Sequence, residues 1–239
     1  MLTLESGRVP EVTFRTRTDS GWEDVTSTDL FAGRTVVLFS LPGAFTPTCS
    51  ATHLPRYEEL APVFKAEGVD EIICMSVNDG FIMYAWAREQ AVKNVRMIPD
   101  GNGEFTDQMG MLVDKSDLGF GRRSWRYSML VRDGIIEKMF VEPEGEGDPF
   151  EVSDAVTMLR YINKHVEIPE CVAIITREGC PHCLRAKEIL RSRKLGFNEI
   201  VLGKDIEQAA LRALTGSTTV PQIFIGGKLI GGADELEAA

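Results

Sequence analysis

Buried β-branched runs alternate with helical stretches along this chain, and the alternation starts afresh after residue 169. Strand–helix alternation of this kind restricts the fold to an α/β class. Val36-Val37-Leu38-Phe39 and residues 71–77 read as buried strands, and residues 95–98 as a short one. Residues 127–131 and 135–140 read as a hairpin turned by Asp133-Gly134. Helices are predicted over 48–65, with Pro55 kinking or dividing the first, over 81–90, and over 153–163 with Ser153 as its cap. After a Pro169-containing linker at 164–169 come a strand at 172–176, a helix from Pro181 to about Lys194 and a strand at 198–201. A helix at 206–214, a hairpin of 220–225 with 228–230, and a last short helix starting near Asp234 complete the pattern. The expected organisation is two α/β domains, 1–163 and 170–239.

Composition narrows the function classes. At 239 residues, 44% hydrophobic and 26% charged, the chain resembles an ordinary globular protein able to bury a core without disulfide staples. Residues 1–10 hold no apolar run or basic cluster, and no stretch approaches the roughly 18 apolar residues of a membrane span. A cytoplasmic protein with no membrane partner is expected. The net charge is -10, and because residues 169–239 hold nine basic and nine acidic groups, the whole excess precedes them. Such a surface suits nucleic acid poorly. The five cysteines, Cys49, Cys74, Cys171, Cys180 and Cys183, are too sparse for a secreted disulfide framework. The setting of each thiol is therefore the main question.

The stretch Pro42-Gly43-Ala44-Phe45-Thr46-Pro47-Thr48-Cys49 follows a buried strand and opens a helix. Unpaired N–H groups and the positive helix end there favour a thiolate. The Thr46 hydroxyl can turn back to the sulfur or to a bound peroxide, and Pro42 can shield the sulfur. A cation to hold the thiolate is available from Arg122, Arg123 or Arg126, since an arginine fork can bind sulfur and peroxide oxygen together. A cysteine in a Pro-rich turn can equally be a small buried residue. Cys74, inside an apolar strand, reads as core. His53 reads as a hydrogen-bonded structural histidine.

The spacing P-x-x-x-T-x-x-C resembles the peroxiredoxins, and specifically their type-five subfamily. Ser50-Ala51-Thr52-His53-Leu54-Pro55, Ser76-Val77-Asn78-Asp79 and Arg126-Tyr127-Ser128 resemble it too, so the likeness covers roughly residues 3–160. It implies that Cys49 is the peroxidatic cysteine and Arg126 the active-site arginine, with Pro42 and Thr46 in the same motif. Some type-five members carry a resolving cysteine near the domain's end, but residues 145–152 contain none. A sulfenic acid left on Cys49 risks irreversible over-oxidation, so another group must reduce it.

Cys180-Pro181-His182-Cys183 lies between a buried strand and a helix. Cys180 gains from the helix start and from nearby Arg177, while Cys183 can close a disulfide with it. A half zinc site or a shared iron–sulfur cluster lacks the further ligands either needs, so no metal is expected. Thr219-Val220-Pro221 precedes a strand, where a proline is often cis and beside the sulfur. Gly231-Gly232-Ala233-Asp234 opens the last helix, where backbone N–H groups can cradle a carboxylate and Asp234 can pair with an α-amino group. Together these features suit γ-glutamyl-cysteinyl-glycine. In order and spacing this half resembles the glutaredoxins, with His182 and Ala233 standing where that family often has an aromatic residue and a serine.

The two resemblances imply two thioredoxin-fold domains, an elaborated one followed by a small one, as in peroxiredoxin–glutaredoxin hybrids. The implied activity is reduction of hydrogen peroxide and alkyl hydroperoxides at Cys49. Glutathione would act as reducing co-substrate, bound by Arg177, Thr219, Val220, Pro221, Gly232, Ala233 and Asp234, with no resident cofactor. Tethering would raise the reductant's effective concentration into the roughly millimolar range. A homo-oligomer, dimer or tetramer, is the expected assembly. Two alternatives are a thioredoxin-fed peroxidase with an independent deglutathionylating domain, and a redox-sensing relay protein.

Overall fold

The computed structural model describes residues 4–145, 147–193 and 195–239. The chain divides into two compact units at Val166/Glu167. The first opens with hairpin strands β1 (Thr13–Thr18) and β2 (Gly21–Thr26) and helix α1 (Ser27–Phe31). Strand β3 (Thr35–Leu41) leads through a loop and a wide turn, Cys49–His53, into α2 (Leu54–Ala66). Then follow β4 (Glu71–Ser76), α3 (Gly80–Glu89), β5 (Val95–Pro99), α4 (Glu104–Gln108), and the small pair β6 (Leu112–Asp114) and β7 (Arg122–Ser124). Strands β8 (Tyr127–Arg132) and β9 (Ile135–Val141) and helix α5 (Ala155–Ile162) finish the unit.

The central sheet has the order β5-β4-β3-β8-β9. Strands β3, β4 and β5 run parallel, and β8 and β9 antiparallel to their neighbours. Val36 to Leu41 are all buried, as a central strand covered on both faces requires. The β8–β9 turn forms where Asp133-Gly134 suggests, with φ of 48° and 75° at its two central residues.

Two local expectations change. Residues 49–53 are not the first turn of an α-helix but a π-helical turn, in which the Leu54 N–H reaches the Cys49 carbonyl. Pro55 stands just beyond and has no N–H to offer the preceding turn, so the ladder widens there. The cap of α5 is Asp154, whose carboxylate accepts from the N–H groups of Val156 and Thr157. Ser153 instead donates its hydroxyl to Glu142.

The second unit has strand β10 (Val172–Thr176), helix α6 (Pro181–Ser192), β11 (Asn198–Val201) and α7 (Gln208–Thr215). Strands β12 (Gln222–Ile225) and β13 (Lys228–Gly231) and helix α8 (Ala233–Ala238) follow. The expected end of α6 at Lys194 lies outside the described residues. Helix α7 starts after Ile206 because that residue bridges to Leu202. The sheet order is β11-β10-β12-β13, with β10 and β11 parallel and the other pairings antiparallel. Val172, Ile174, Ala186, Leu190, Ile223 and Leu236 form a core between this sheet and helices α6 and α8. Among the described residues no helix is long and apolar enough to cross a membrane.

Candidate active sites

In the first unit, β3 delivers the 42–48 loop to the end of the sheet. The Asn78 side-chain oxygen anchors it, accepting from the Ala44 N–H at 3.0 Å and from the Ser76 hydroxyl at 2.8 Å. The Thr46 hydroxyl donates to the Gly43 carbonyl at 2.9 Å. Its proton therefore closes the loop. Pro42 is buried and Cys49 is fully buried. The indole N–H of Trp86 donates to the Ser50 hydroxyl at 3.0 Å and fixes the turn beside the sulfur.

Of the three candidate arginines, Arg126 faces the sulfur, with Nη2 at 3.5 Å from Cys49 Sγ. It is fully buried. Arg122 pairs with exposed Asp107, and Arg123 donates to the Val77 carbonyl. The Arg126 Nη1 donates to His53 Nδ1 at 2.9 Å, and Asp148 accepts from both Nε and Nη2. Asp148 is not legible in the sequence as part of this site. A buried guanidinium needs an acidic partner, but among 36 acidic residues nothing local singles one out. Cys74 lies opposite Phe39 in the sheet, and burial, then the nearby Cys49 sulfur, push its thiol pKa well up. It is held as a thiol, in keeping with a core role.

Burial, and then the charge of Arg126, depress the His53 pKa from 6.5 to about 3. Its Nδ1 accepts from Arg126, so Nε2 carries the hydrogen and donates to the Ser153 carbonyl at 3.2 Å. Below pH 6.5 the unfolded chain binds a proton here that the folded chain refuses. Stability from this residue is therefore present above pH 6.5 and is lost as pH falls toward 3. The slope within that window approaches ~1.4 kcal/mol per pH unit. Urea midpoints at pH 7 and pH 5 should accordingly drop further for the wild type than for His53→Gln. Equal drops would locate the acid sensitivity elsewhere.

In the second unit, Cys180 caps α6, and its sulfur accepts from the Cys183 N–H at 3.2 Å. The same sulfur lies 3.9 Å from the Val220 carbonyl, next to the cis Val220–Pro221 bond. Cys183 is buried, and burial, followed by its contact with Cys180, raises its pKa to about 11. Arg177 lines the same cleft as Cys180, Thr219 and Val220, and donates to Gln208 at 3.2 Å. A second groove, of about 480 Å³, is lined by Thr219, Val220, Pro221, Gly232, Ala233 and Asp234, and by His182.

Besides Arg177, two further groups expected to meet a ligand already have partners. The Gly232 N–H donates to the Glu235 carboxylate at 2.8 Å. Asp234 pairs with Arg185, a residue that no motif of the sequence singles out. A bound carboxylate or amino group would have to exchange with these contacts. Among the described residues no group of three or more His, Cys, Asp or Glu is placed to hold a metal ion.

Comparison with known proteins matches a different family in each unit. The Redoxin family model matches residues 5–159 and the Glutaredoxin model residues 172–230. Hybrid peroxiredoxin hyPrx5 of Haemophilus influenzae is 59% identical over 237 residues, covering 99% of this chain and 98% of that protein. A peroxiredoxin of Synechocystis is 59% identical over 175 residues, 68% of this chain and 92% of its own. Among solved structures, reduced Prx3 of Vibrio vulnificus in complex with H2O2 superposes with a TM-score of 0.64 at 40% identity. That match covers 68% of this chain and 100% of the other. The 1-Cys peroxiredoxin of Plasmodium falciparum gives a TM-score of 0.64 at 34% identity over 67% of this chain and 99% of its own.

Proposed function

This chain is a member of the redoxin family, a peroxiredoxin with a fused glutaredoxin domain, and we propose that it is a glutathione-dependent peroxidase recycled by its own second domain. The observation that carries the reading is the buried Cys49 sulfur against the buried Arg126 guanidinium, on the same polypeptide as the Cys180 cap of α6.

The Cys49 thiolate attacks one oxygen of hydrogen peroxide or an alkyl hydroperoxide. The O–O bond breaks, the sulfur becomes a sulfenic acid, and water or an alcohol leaves after taking a proton. The Arg126 fork stabilises the charge that develops on the leaving oxygen. Glutathione then condenses with the sulfenic acid, forming a mixed disulfide and releasing water. The Cys180 thiolate attacks the glutathione sulfur, which frees Cys49 and leaves Cys180 glutathionylated. A second glutathione, held by Arg177, Thr219, Val220, Pro221, Gly232, Ala233 and Asp234, restores Cys180 and departs as glutathione disulfide. The first unit supports this route because the other cysteine it carries, Cys74, is a buried thiol of raised pKa. The reading places the protein in the cytoplasm, where cysteines are kept reduced.

The test is peroxide consumption by the pure protein with glutathione and glutathione reductase as the sole reducing supply. Steady turnover is expected. Turnover with thioredoxin and none with glutathione would replace this reading with the thioredoxin-fed one. A slow reaction that stalls as a mixed disulfide with another protein would favour the relay. Cys183→Ser should keep a large part of glutathione-driven activity, because the raised pKa of Cys183 leaves it a poor nucleophile at neutral pH. Complete loss in that variant would point to a dithiol route.

A further inference from the structure

A buried guanidinium sits in whichever orientation the acceptors on its edges dictate. Three groups meet Arg126. Asp148 takes one edge with both oxygens: Nε donates to Oδ1 at 3.1 Å, and Nη2 donates to Oδ2. His53 Nδ1 accepts from Nη1, and Cys49 Sγ lies 3.5 Å from Nη2. Nη2 thus serves the carboxylate and the sulfur with its two hydrogens, so fixing the first contact aims the second.

Asp148 is itself held from both sides along the chain. On one side, Lys115 donates from Nζ to the Gly147 carbonyl at 2.8 Å. On the other, the buried Glu142 carboxylate accepts from the N–H groups of Glu151, Val152 and Ser153 and from the Ser153 hydroxyl, at 2.7–3.0 Å. Between these clamps the Phe150 ring lies 5.4 Å from the Arg126 guanidinium carbon and 4.8 Å from the His53 ring. The loop after β9 is therefore built to present one carboxylate to one arginine.

We infer that Asp148 is a positioning residue for peroxide reduction, holding the plane of Arg126 so that Nη2 points at Cys49 and at the oxygen that Cys49 attacks. The inference rests on the reading of Cys49 as the sulfur that attacks peroxide. Asp148 also offsets part of the positive charge beside that sulfur, which taken alone would slow the reaction. Orientation outweighs this effect, because misplacing a catalytic group by about 1 Å costs on the order of 100-fold in rate.

The experiment uses the reduced full-length protein as wild type, Asp148→Asn and Asp148→Ala. Each is mixed with hydrogen peroxide for the second-order rate, and separately with iodoacetamide, with alkylation at Cys49 followed by peptide mass spectrometry. Alkylation needs the sulfur but no oriented donor for an oxygen. The peroxide rate should fall roughly 10-fold in Asp148→Asn, which keeps one acceptor, and about 100-fold in Asp148→Ala. Cys49 alkylation should stay within about 3-fold of wild type in both, on the same reasoning. Peroxide rates equal to or above wild type in the variants would overturn the inference, since charge offset would then dominate. Alkylation that changes in step with the peroxide rate would overturn it too, because the variants would then have lost the pocket rather than the aim of Arg126. A wild-type protein that ignores peroxide would instead remove the reading of Cys49 beneath it.

Discussion

Cys49→Ser should abolish peroxide consumption, with a loss of at least about 1000-fold and no change in fold. The substitution exchanges one buried atom for a slightly smaller one, so Arg126 and the loop clamps around it keep their partners. What disappears is the nucleophile. Sulfur attacks as a thiolate, whereas a serine hydroxyl needs a base to remove its proton. The nearest imidazole cannot serve. His53 Nδ1 already accepts from Arg126, and its Nε2 hydrogen goes to the Ser153 carbonyl. No compensating chemistry is available at the site, so the loss should be of the full size seen when an activated nucleophile is removed. The internal control is the second unit. Cys180 caps its own helix against Val220 and Cys183, so the variant should still reduce a glutathione mixed disulfide on a small thiol at the wild-type rate. Retention of a tenth or more of the peroxidase activity, as an order-of-magnitude bound, would assign peroxide attack to another sulfur.

The parts of these sites that can be read from sequence share one property: their chemistry is local. The loop from Pro42 to Cys49, the Cys180–Cys183 pair and the Thr219-Val220-Pro221 segment each carry their spacing within a few residues. Strand periods and the Asp133-Gly134 turn are local as well, whereas the pairing of β3 with β8 joins segments far apart in sequence. The unread parts depend on partners far along the chain. Arg126 finds Asp148 through a loop whose shape is set by Glu142 and Lys115, and no spacing rule connects those positions. Arg185 meets Asp234 only because α6 and α8 pack side by side. The wide turn at Cys49–His53 is an intermediate case. Pro55 signals a disturbance, but a kink, a break and a π turn all answer a missing N–H, and the choice among them belongs to packing around Trp86 and His53.

Cys180→Ser should remove glutathione-driven turnover while leaving a single round of peroxide reduction per Cys49. The two results come from different sulfurs. In the proposed cycle peroxide attack needs Cys49 and Arg126, which the substitution does not touch. Recycling needs a thiolate that can attack the glutathione sulfur of a mixed disulfide, and the hydroxyl that replaces the Cys180 thiol supplies none. Cys183 is a weak substitute, because burial, the largest cause of its raised pKa, remains in the variant. With excess glutathione, a burst stoichiometric in enzyme should therefore precede a steady rate about 100-fold or more below wild type, the scale on which loss of a nucleophile outweighs small structural effects. Mass spectrometry of the stalled protein should find one glutathione on Cys49, which separates a failure to recycle from a failure to condense. A Cys49 that accumulates as sulfinic acid with no glutathione adduct would mean that glutathione does not reach the sulfenic acid, and the first reductive step would need another thiol. Full turnover by the variant would mean that free glutathione alone restores Cys49 and that the second unit serves other disulfides. The contrast with Cys183→Ser makes the outcome decisive, because both variants lose the same dithiol pair but only one loses the sulfur that caps the helix.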